Sequence, residues 1–148
     1  LALPGSDLET DLKTLDVNRR AGSGFAPASL FIPLPGTVLG DRARVQGCFD
    51  AEAFDRSYHS TDPTVRTQVV LDVPHQDQVR RLQCLFDIAN DHDWVARHIR
   101  WLVGLPLFSL YLLWFKVHDG LKKRWYLYGS VKLPLRLKLA VAYHTLRE

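Results

Sequence analysis

Apolar and polar residues alternate in two stretches of the first half of the chain. Residues 42–49 have the sequence RARVQGCF, and residues 65–73 have the sequence VRTQVVLDV. In the second stretch every other residue from Val65 to Val73 is β-branched or leucine, which places these side chains on one face of a strand. Pro74 has no amide hydrogen and ends the ladder. The pattern therefore predicts strands near 42–49 and 65–73.

After Asp77 the apolar residues change to a helical period. Between Val79 and Ala89 they recur every three or four positions, as they do on the buried face of an amphipathic helix. A second stripe of this kind begins after Asp93 and stops at Gly104, close to Pro106. The pattern predicts two successive helices, near 77–90 and 93–104.

The next stretch predicts a β-hairpin. Residues 107–115 are without charge and too short for a bilayer-spanning helix, which needs about 20 predominantly apolar residues. The dipeptide Asp119-Gly120 is a favoured two-residue connection, because both central residues of a type I′ turn need positive φ. We therefore predict strands at 107–118 and 121–131, covered on both faces near their base.

The two ends of the chain complete a predicted α+β fold. Residues 1–40 are expected to be largely extended or loop-rich, since their second half is rich in glycine and proline. Residues after 131 alternate as a strand would, but Leu, Arg, Lys and Ala are good helix formers and Pro134 suits a first turn, so a C-terminal helix is favoured. The prediction is a single domain, 1–148, with a mostly antiparallel sheet, a C-terminal hairpin at about 107–131, two central helices and a C-terminal helix.

Composition is that of an ordinary globular chain of 148 residues, with 47% hydrophobic and 24% charged residues. Such a chain can bury a core without a metal or a disulfide. Its two cysteines, Cys48 and Cys84, lack the spacing of a zinc site, and a reduced, cytoplasmic chain is expected, although a disulfide stays open. The chain has no methionine, so we expect that Leu1 is not the translated start.

Charge is distributed unevenly along the chain. Residues 1–115 have 11 Lys and Arg against 14 Asp and Glu, whereas residues 116–148 have 8 against 2. In the predicted hairpin Lys116 would face Lys123, a like-charge pair that an anion would relieve. Exposed cations between aromatic rings bind single-stranded nucleic acids through phosphate neutralisation and base stacking. The alternative is that these cations only keep a hairpin tip in solution and protect its edge.

From this segregation we predict a non-catalytic binding or accessory subunit. Its basic, aromatic C-terminal surface would engage an acidic partner, with nucleic acid favoured and an acidic protein as the other candidate. A protein subunit would cover the apolar residues 107–115. The predicted binding residues are Lys116, Lys122, Lys123, Arg124, Trp125, Tyr126, Tyr128, Lys132, Arg136 and Lys138.

The rival interpretation is a small metal-dependent enzyme or a subunit of a heteromeric enzyme. Asp55 and His59 would share a helix face and form an acid–base pair or a metal site, while a solvated ion pair explains them equally well. His92 between two aspartates is a further candidate, with helix capping as the simpler explanation. No metal or nucleotide motif occurs in the sequence, so no cofactor is predicted. A third interpretation is peripheral membrane attachment through residues 99–126.

Overall fold

The fold is helical throughout the described part of the chain. A computed structural model describes residues 1–34, 36–47, 52, 54 and 75–128. These residues form α1 (Leu8–Arg20), α2 (Val38–Val45), α3 (Gln76–Asp91), α4 (Asp93–Gly104) and α5 (Phe108–Tyr128), and they contain no strand. The predicted α+β class with an antiparallel sheet is therefore wrong for the part of the chain that the structure describes.

The predicted hairpin at about 107–131 is replaced by α5, a single helix of 21 residues. Asp119 and Gly120 lie inside this helix, and Gly120 does not adopt a positive φ. The Asp119 carboxylate instead forms an ion pair with the Lys123 ammonium, four residues later on the same helix, at a distance of 2.7 Å. An internal glycine costs a helix about 1 kcal/mol relative to alanine. Packing of α5 against α3 offsets that cost, so Asp119-Gly120 stays helical and does not form the predicted turn. Residues 129–131 lie outside the described residues.

The predicted strand at 42–49 is also wrong where the structure can test it. Residues up to Val45 belong to α2, whose first turn is capped by Thr37, because the Thr37 hydroxyl accepts a hydrogen bond from the Gly40 amide at 3.1 Å. This cap favours the helix in a short segment whose alternation of apolar and polar residues is equally compatible with a strand. The predicted strand at 65–73, the last two residues of 42–49 and the predicted C-terminal helix lie outside the described residues.

Both central helices are confirmed, since the predictions at 77–90 and 93–104 correspond to α3 and α4. Only His92 separates the two helices. Its side chain makes no capping hydrogen bond, and its extended backbone ends α3 and begins α4.

The N-terminal segment 1–40, predicted as largely extended or loop-rich, contains α1. Asp7 caps the N-terminus of this helix, because its carboxylate accepts hydrogen bonds from the amide and hydroxyl of Thr10 at 2.8 and 2.6 Å. The following residues leave the helix and run beside α3. There the Asn90 side chain donates to the Ser23 carbonyl at 2.6 Å, and the Ala26 amide donates to Asp87 at 2.8 Å.

The core surrounds α3, which contacts α1, α4 and α5. Leu82, Leu85 and Ile88 of α3 are fully buried. Tyr111 ties α5 to α4, because its hydroxyl donates to the Leu102 carbonyl at 2.8 Å. None of the helices in the described part of the chain is long and apolar enough to span a membrane.

Burial of Cys84 in this core makes the folded state less stable at alkaline pH. Burial raises the pKa of the thiol from 9.0 to about 11. The folded state therefore favours the neutral thiol, and its contribution to stability is complete below pH 9 and lost as pH rises towards 11. We expect about 1 kcal/mol of stability to be lost through Cys84 between pH 8 and 10. Urea unfolding at the two pH values measures it.

The matched control is Cys84→Ala, which removes the thiol. Its absolute stability is expected to be lower, because a buried group is lost, but its decline between pH 8 and 10 should be about 1 kcal/mol smaller than that of the wild type. An equal decline in both proteins would show that Cys84 does not titrate in this window.

Candidate binding face and buried charged cluster

Four ionisable side chains meet between α3 and α5, and we call them the charged cluster. Asp87 and Asp91 are four residues apart on α3, and His118 and Lys122 are four residues apart on α5, so each pair lies on one helix face. The Lys122 ammonium lies 2.8 Å from Asp87 Oδ1 and 2.7 Å from Asp91 Oδ2. Only 6% of the Lys122 side chain is exposed.

The N-terminal segment completes the surroundings of Lys122. The Ala26 amide donates to Asp87 Oδ1 at 2.8 Å, and the Phe25 ring centre lies 5.4 Å from the Lys122 ammonium. Burial by itself would lower the pKa of Lys122, but the hydrogen bonds to Asp87 and Asp91 outweigh burial, and the pKa is raised. Lys122 therefore remains an ammonium group inside the protein.

His118 faces both carboxylates of the charged cluster. Its Nδ1 lies 3.5 Å from Asp87 Oδ2, and its Nε2 lies 3.2 Å from Asp91 Oδ2. Nδ1 is buried without a hydrogen-bond partner. The ring of His92 lies edge-on, with its centre 5.9 Å from that of His118. The two carboxylates of the cluster are therefore faced by the Lys122 ammonium and by both ring nitrogens of His118.

The structure places the predicted binding residues in different environments. Lys122 is buried in the charged cluster, Lys123 is half exposed and paired with Asp119, and Lys116 is partly buried. Arg124 and Trp125 are exposed, the latter to 80%. Tyr126 and Tyr128 lie in the last turn of α5, but their side chains are outside the description. Lys132, Arg136 and Lys138, together with Asp55 and His59 of the enzyme interpretation, lie outside the described residues.

A row of exposed apolar side chains follows α5, and we call it the apolar stripe. Its members recur every three or four residues and are between 46% and 80% exposed: Leu110, Leu113, Val117, Leu121 and Trp125. The helix is about 30 Å long, so the stripe extends over most of that length. At 100° per residue Arg124 falls within the stripe, and Lys116 and Lys123 lie beside the edge of the stripe that Leu113 forms. Large, continuous apolar patches on a protein surface mark interaction sites, whereas singly scattered apolar residues do not.

Sequence reasoning missed Asp87 and His118 as site residues and treated Asp91 as a possible helix cap. The available signal was the repeated spacing of four, D-x₃-D in one segment and H-x₃-K in another. That signal has meaning only when both segments are helices, and the hairpin interpretation of 107–131 placed His118 and Lys122 on opposite sides of a turn.

A shallow pocket of about 340 Å³ lies elsewhere on the described part of the chain. Its lining residues are Phe31, Ile32, Leu34, Thr37, Val38 and Leu39. No residue of the charged cluster lines this pocket. Comparison with family models, curated proteins and solved structures finds no match for this chain.

Proposed function

We propose that this chain is a non-catalytic accessory subunit that binds an acidic partner protein through the apolar stripe and the cations at its edge. The observation that carries the proposal is the exposure of five apolar side chains on one face of α5. Amphipathic helices are recognised by protein grooves through anchors at this spacing. The buried free thiol of Cys84 is typical of a reducing compartment, and the proposal includes a cytoplasmic location.

Rigid attachment of α5 supports this use of the helix. The charged cluster and the Tyr111 hydrogen bond fasten a neighbouring side of α5 to α3 and α4. The stripe is consequently presented in a fixed orientation before any partner arrives. Preorganisation of this kind lowers the entropy that binding costs.

The charge along the stripe favours an acidic protein over the alternatives. In a symmetric pairing of two copies, each stripe with its cations Lys116, Lys123 and Arg124 would face a second stripe with the same positive charges. Nucleic acid, which the charge distribution along the sequence favours, requires several free cations for phosphate. Lys122 is engaged internally and Lys123 is paired, while leucine and valine side chains have nothing to contact on a phosphate backbone.

The test begins with a photoreactive residue at position 121, introduced in the source cells to identify what contacts the stripe. The captured protein is then purified and titrated against the wild type and two groups of variants. Leu121→Glu is expected to weaken binding by roughly 30-fold or more, as at an interface hot spot. Lys123→Glu with Arg124→Glu should weaken it further at low salt. Val17→Glu is the matched control, since Val17 is 56% exposed on α1, and it should leave binding unchanged.

Capture alone does not support the proposal; loss of binding by both groups of variants does. Binding that is abolished by nuclease, falls linearly with log salt and is insensitive to Leu121→Glu would identify nucleic acid and contradict it. Co-sedimentation with phosphatidylcholine and phosphatidylserine vesicles, lost on Leu121→Glu and without any protein partner, would identify a membrane surface instead.

A further inference from the structure

Two tryptophans are exposed on the outer side of α4, and we propose that this side binds an acidic, proline-rich segment of a partner protein in the polyproline II conformation. Trp94 is 58% exposed and Trp101 is 62% exposed. Together with the exposed Arg97 and the partly exposed His98 they form the tryptophan face. The apolar stripe of α5 is not part of this face, and a partner bound here need not be the partner of the stripe.

The four side chains of the tryptophan face share one side of the helix. At 100° per residue they fall within about 100° of its circumference, outside the sector of the buried residues Val95, Ile99 and Val103. The Nδ1–H of His98 donates to the Trp94 carbonyl at 2.9 Å, and the two ring centres are 5.0 Å apart. This hydrogen bond holds the imidazole against the indole, so the first half of the face is a pair of rings.

Hydrogen-bond donors dominate the tryptophan face. The indole N–H groups of Trp94 and Trp101 and the guanidinium of Arg97 have no hydrogen-bond partner among the residues that the structure describes. A polyproline II segment is the complementary ligand, because its carbonyl groups make no internal hydrogen bonds and its prolines have no N–H to donate. Aromatic side chains on protein surfaces bind such segments by packing against the prolines, and an indole N–H can donate to a carbonyl at the same time.

The spacing of the two tryptophans matches the repeat of this ligand. Trp101 follows Trp94 by seven positions, which corresponds to about 10 Å along the helix axis at 1.5 Å per residue. A polyproline II helix has three residues per turn and a rise of 3.1 Å per residue, so it repeats after about 9 Å. Prolines three positions apart in a segment that runs along α4 would therefore meet one indole each.

Charge around the tryptophan face favours a segment with acidic residues. Asp93, at the start of α4, pairs with Arg19. Glu9 of α1 pairs with Arg100 of α4. Arg97 lies between the two tryptophans in sequence and is left as a cation that attracts a carboxylate of the ligand. A nucleic acid strand suits the face less well, because its phosphate backbone requires several cations.

Fluorescence anisotropy of a labelled peptide tests this assignment. The probe is a peptide of four Pro-Pro-Glu repeats, titrated with the full chain up to about 0.5 mM, which detects weak binding. This peptide is expected to bind. A peptide of four Gly-Gly-Glu repeats keeps the charge but is not preorganised, and it should bind at least about tenfold more weakly. Trp101→Ala should weaken binding of the Pro-Pro-Glu peptide by at least about tenfold, as loss of a tryptophan anchor does.

Trp125→Ala is the matched control, because Trp125 is 80% exposed on α5 and lies outside the tryptophan face. It should bind the Pro-Pro-Glu peptide as the wild type does. Arg97→Glu tests the charge separately from the rings. It should weaken binding of the Pro-Pro-Glu peptide and strengthen binding of a peptide of four Pro-Pro-Lys repeats.

Absence of peptide binding by the wild type would overturn the proposal, and so would equal weakening by Trp101→Ala and Trp125→Ala. Equal affinity for the Gly-Gly-Glu peptide would show that only charge is recognised and would contradict it. If single-stranded oligothymidylate or phosphatidylserine vesicles bound instead of the peptide, and Trp101→Ala abolished that binding, the face would belong to nucleic acid or to a membrane. Circular dichroism checks that each variant is folded, and Trp94→Ala is the second variant if Trp101→Ala is not.

Discussion

Replacing Asp87 by alanine is expected to lower the free energy of unfolding by about 3–5 kcal/mol. The substitution removes one of the two carboxylates that hold the buried Lys122 ammonium and leaves only Asp91, and breaking a buried ion pair from one side destabilises a protein by this amount. The Ala26 amide also loses its buried acceptor. Urea unfolding monitored by tryptophan fluorescence measures the change.

A surface ion pair on the same helix provides the control. Lys123 pairs with Asp119 at 2.7 Å, but half of its side chain is exposed. We expect Lys123→Ala to change stability by no more than about 0.5 kcal/mol, as for exposed pairs four residues apart on a helix. If Asp87→Ala cost no more than Lys123→Ala, the cluster would not be a buried element of the fold.

Leu85→Ala is expected to destabilise the protein by about 2–5 kcal/mol. Leu85 is fully buried on α3, at the helix around which the core forms, and its truncation leaves a cavity as well as losing apolar burial. Thermal or urea unfolding measures the loss.

Leu121→Ala is the matched substitution on the apolar stripe. Leu121 is 62% exposed, so its truncation should change stability by no more than about 0.5 kcal/mol. A loss comparable with that of Leu85→Ala would mean that the chain itself covers the stripe, and the proposed binding face would be contradicted.

The elements that sequence predicted best are those with one apolar face. In α3 and α4 the apolar residues fall on a single stripe and the polar residues elsewhere, and such a pattern is compatible with a helix alone. Long periodic segments contain enough positions to distinguish a period of 3.6 from one of 2.

The same reasoning failed for α5 because this helix is apolar on two sides. One side packs on α3 through residues such as Tyr111, and another forms the exposed stripe, so the helical period is blurred. A run that is apolar around its whole circumference cannot be assigned by periodicity. The Asp119-Gly120 signal then decided the prediction, although the i,i+4 pair of Asp119 with Lys123 is equally local and supports a helix.

The role of Lys122 was beyond sequence reasoning for a different reason. A lysine is exposed in most proteins unless it is paired, and its partners here are 31 and 35 residues earlier in the chain. Only the packing of α5 on α3 brings these charges together. The excess of basic residues after residue 115 therefore overstates the cationic surface that α5 offers.

A double-mutant cycle between Asp87→Asn and Lys122→Met tests most directly that Lys122 acts inside the protein. The four free energies of unfolding give the coupling between the two side chains. A buried pair in contact at 2.8 Å should couple by about 1.5–3 kcal/mol. Additive effects, within about 0.3 kcal/mol, would show that the two residues do not interact and would contradict the fold of α5 on α3 described above.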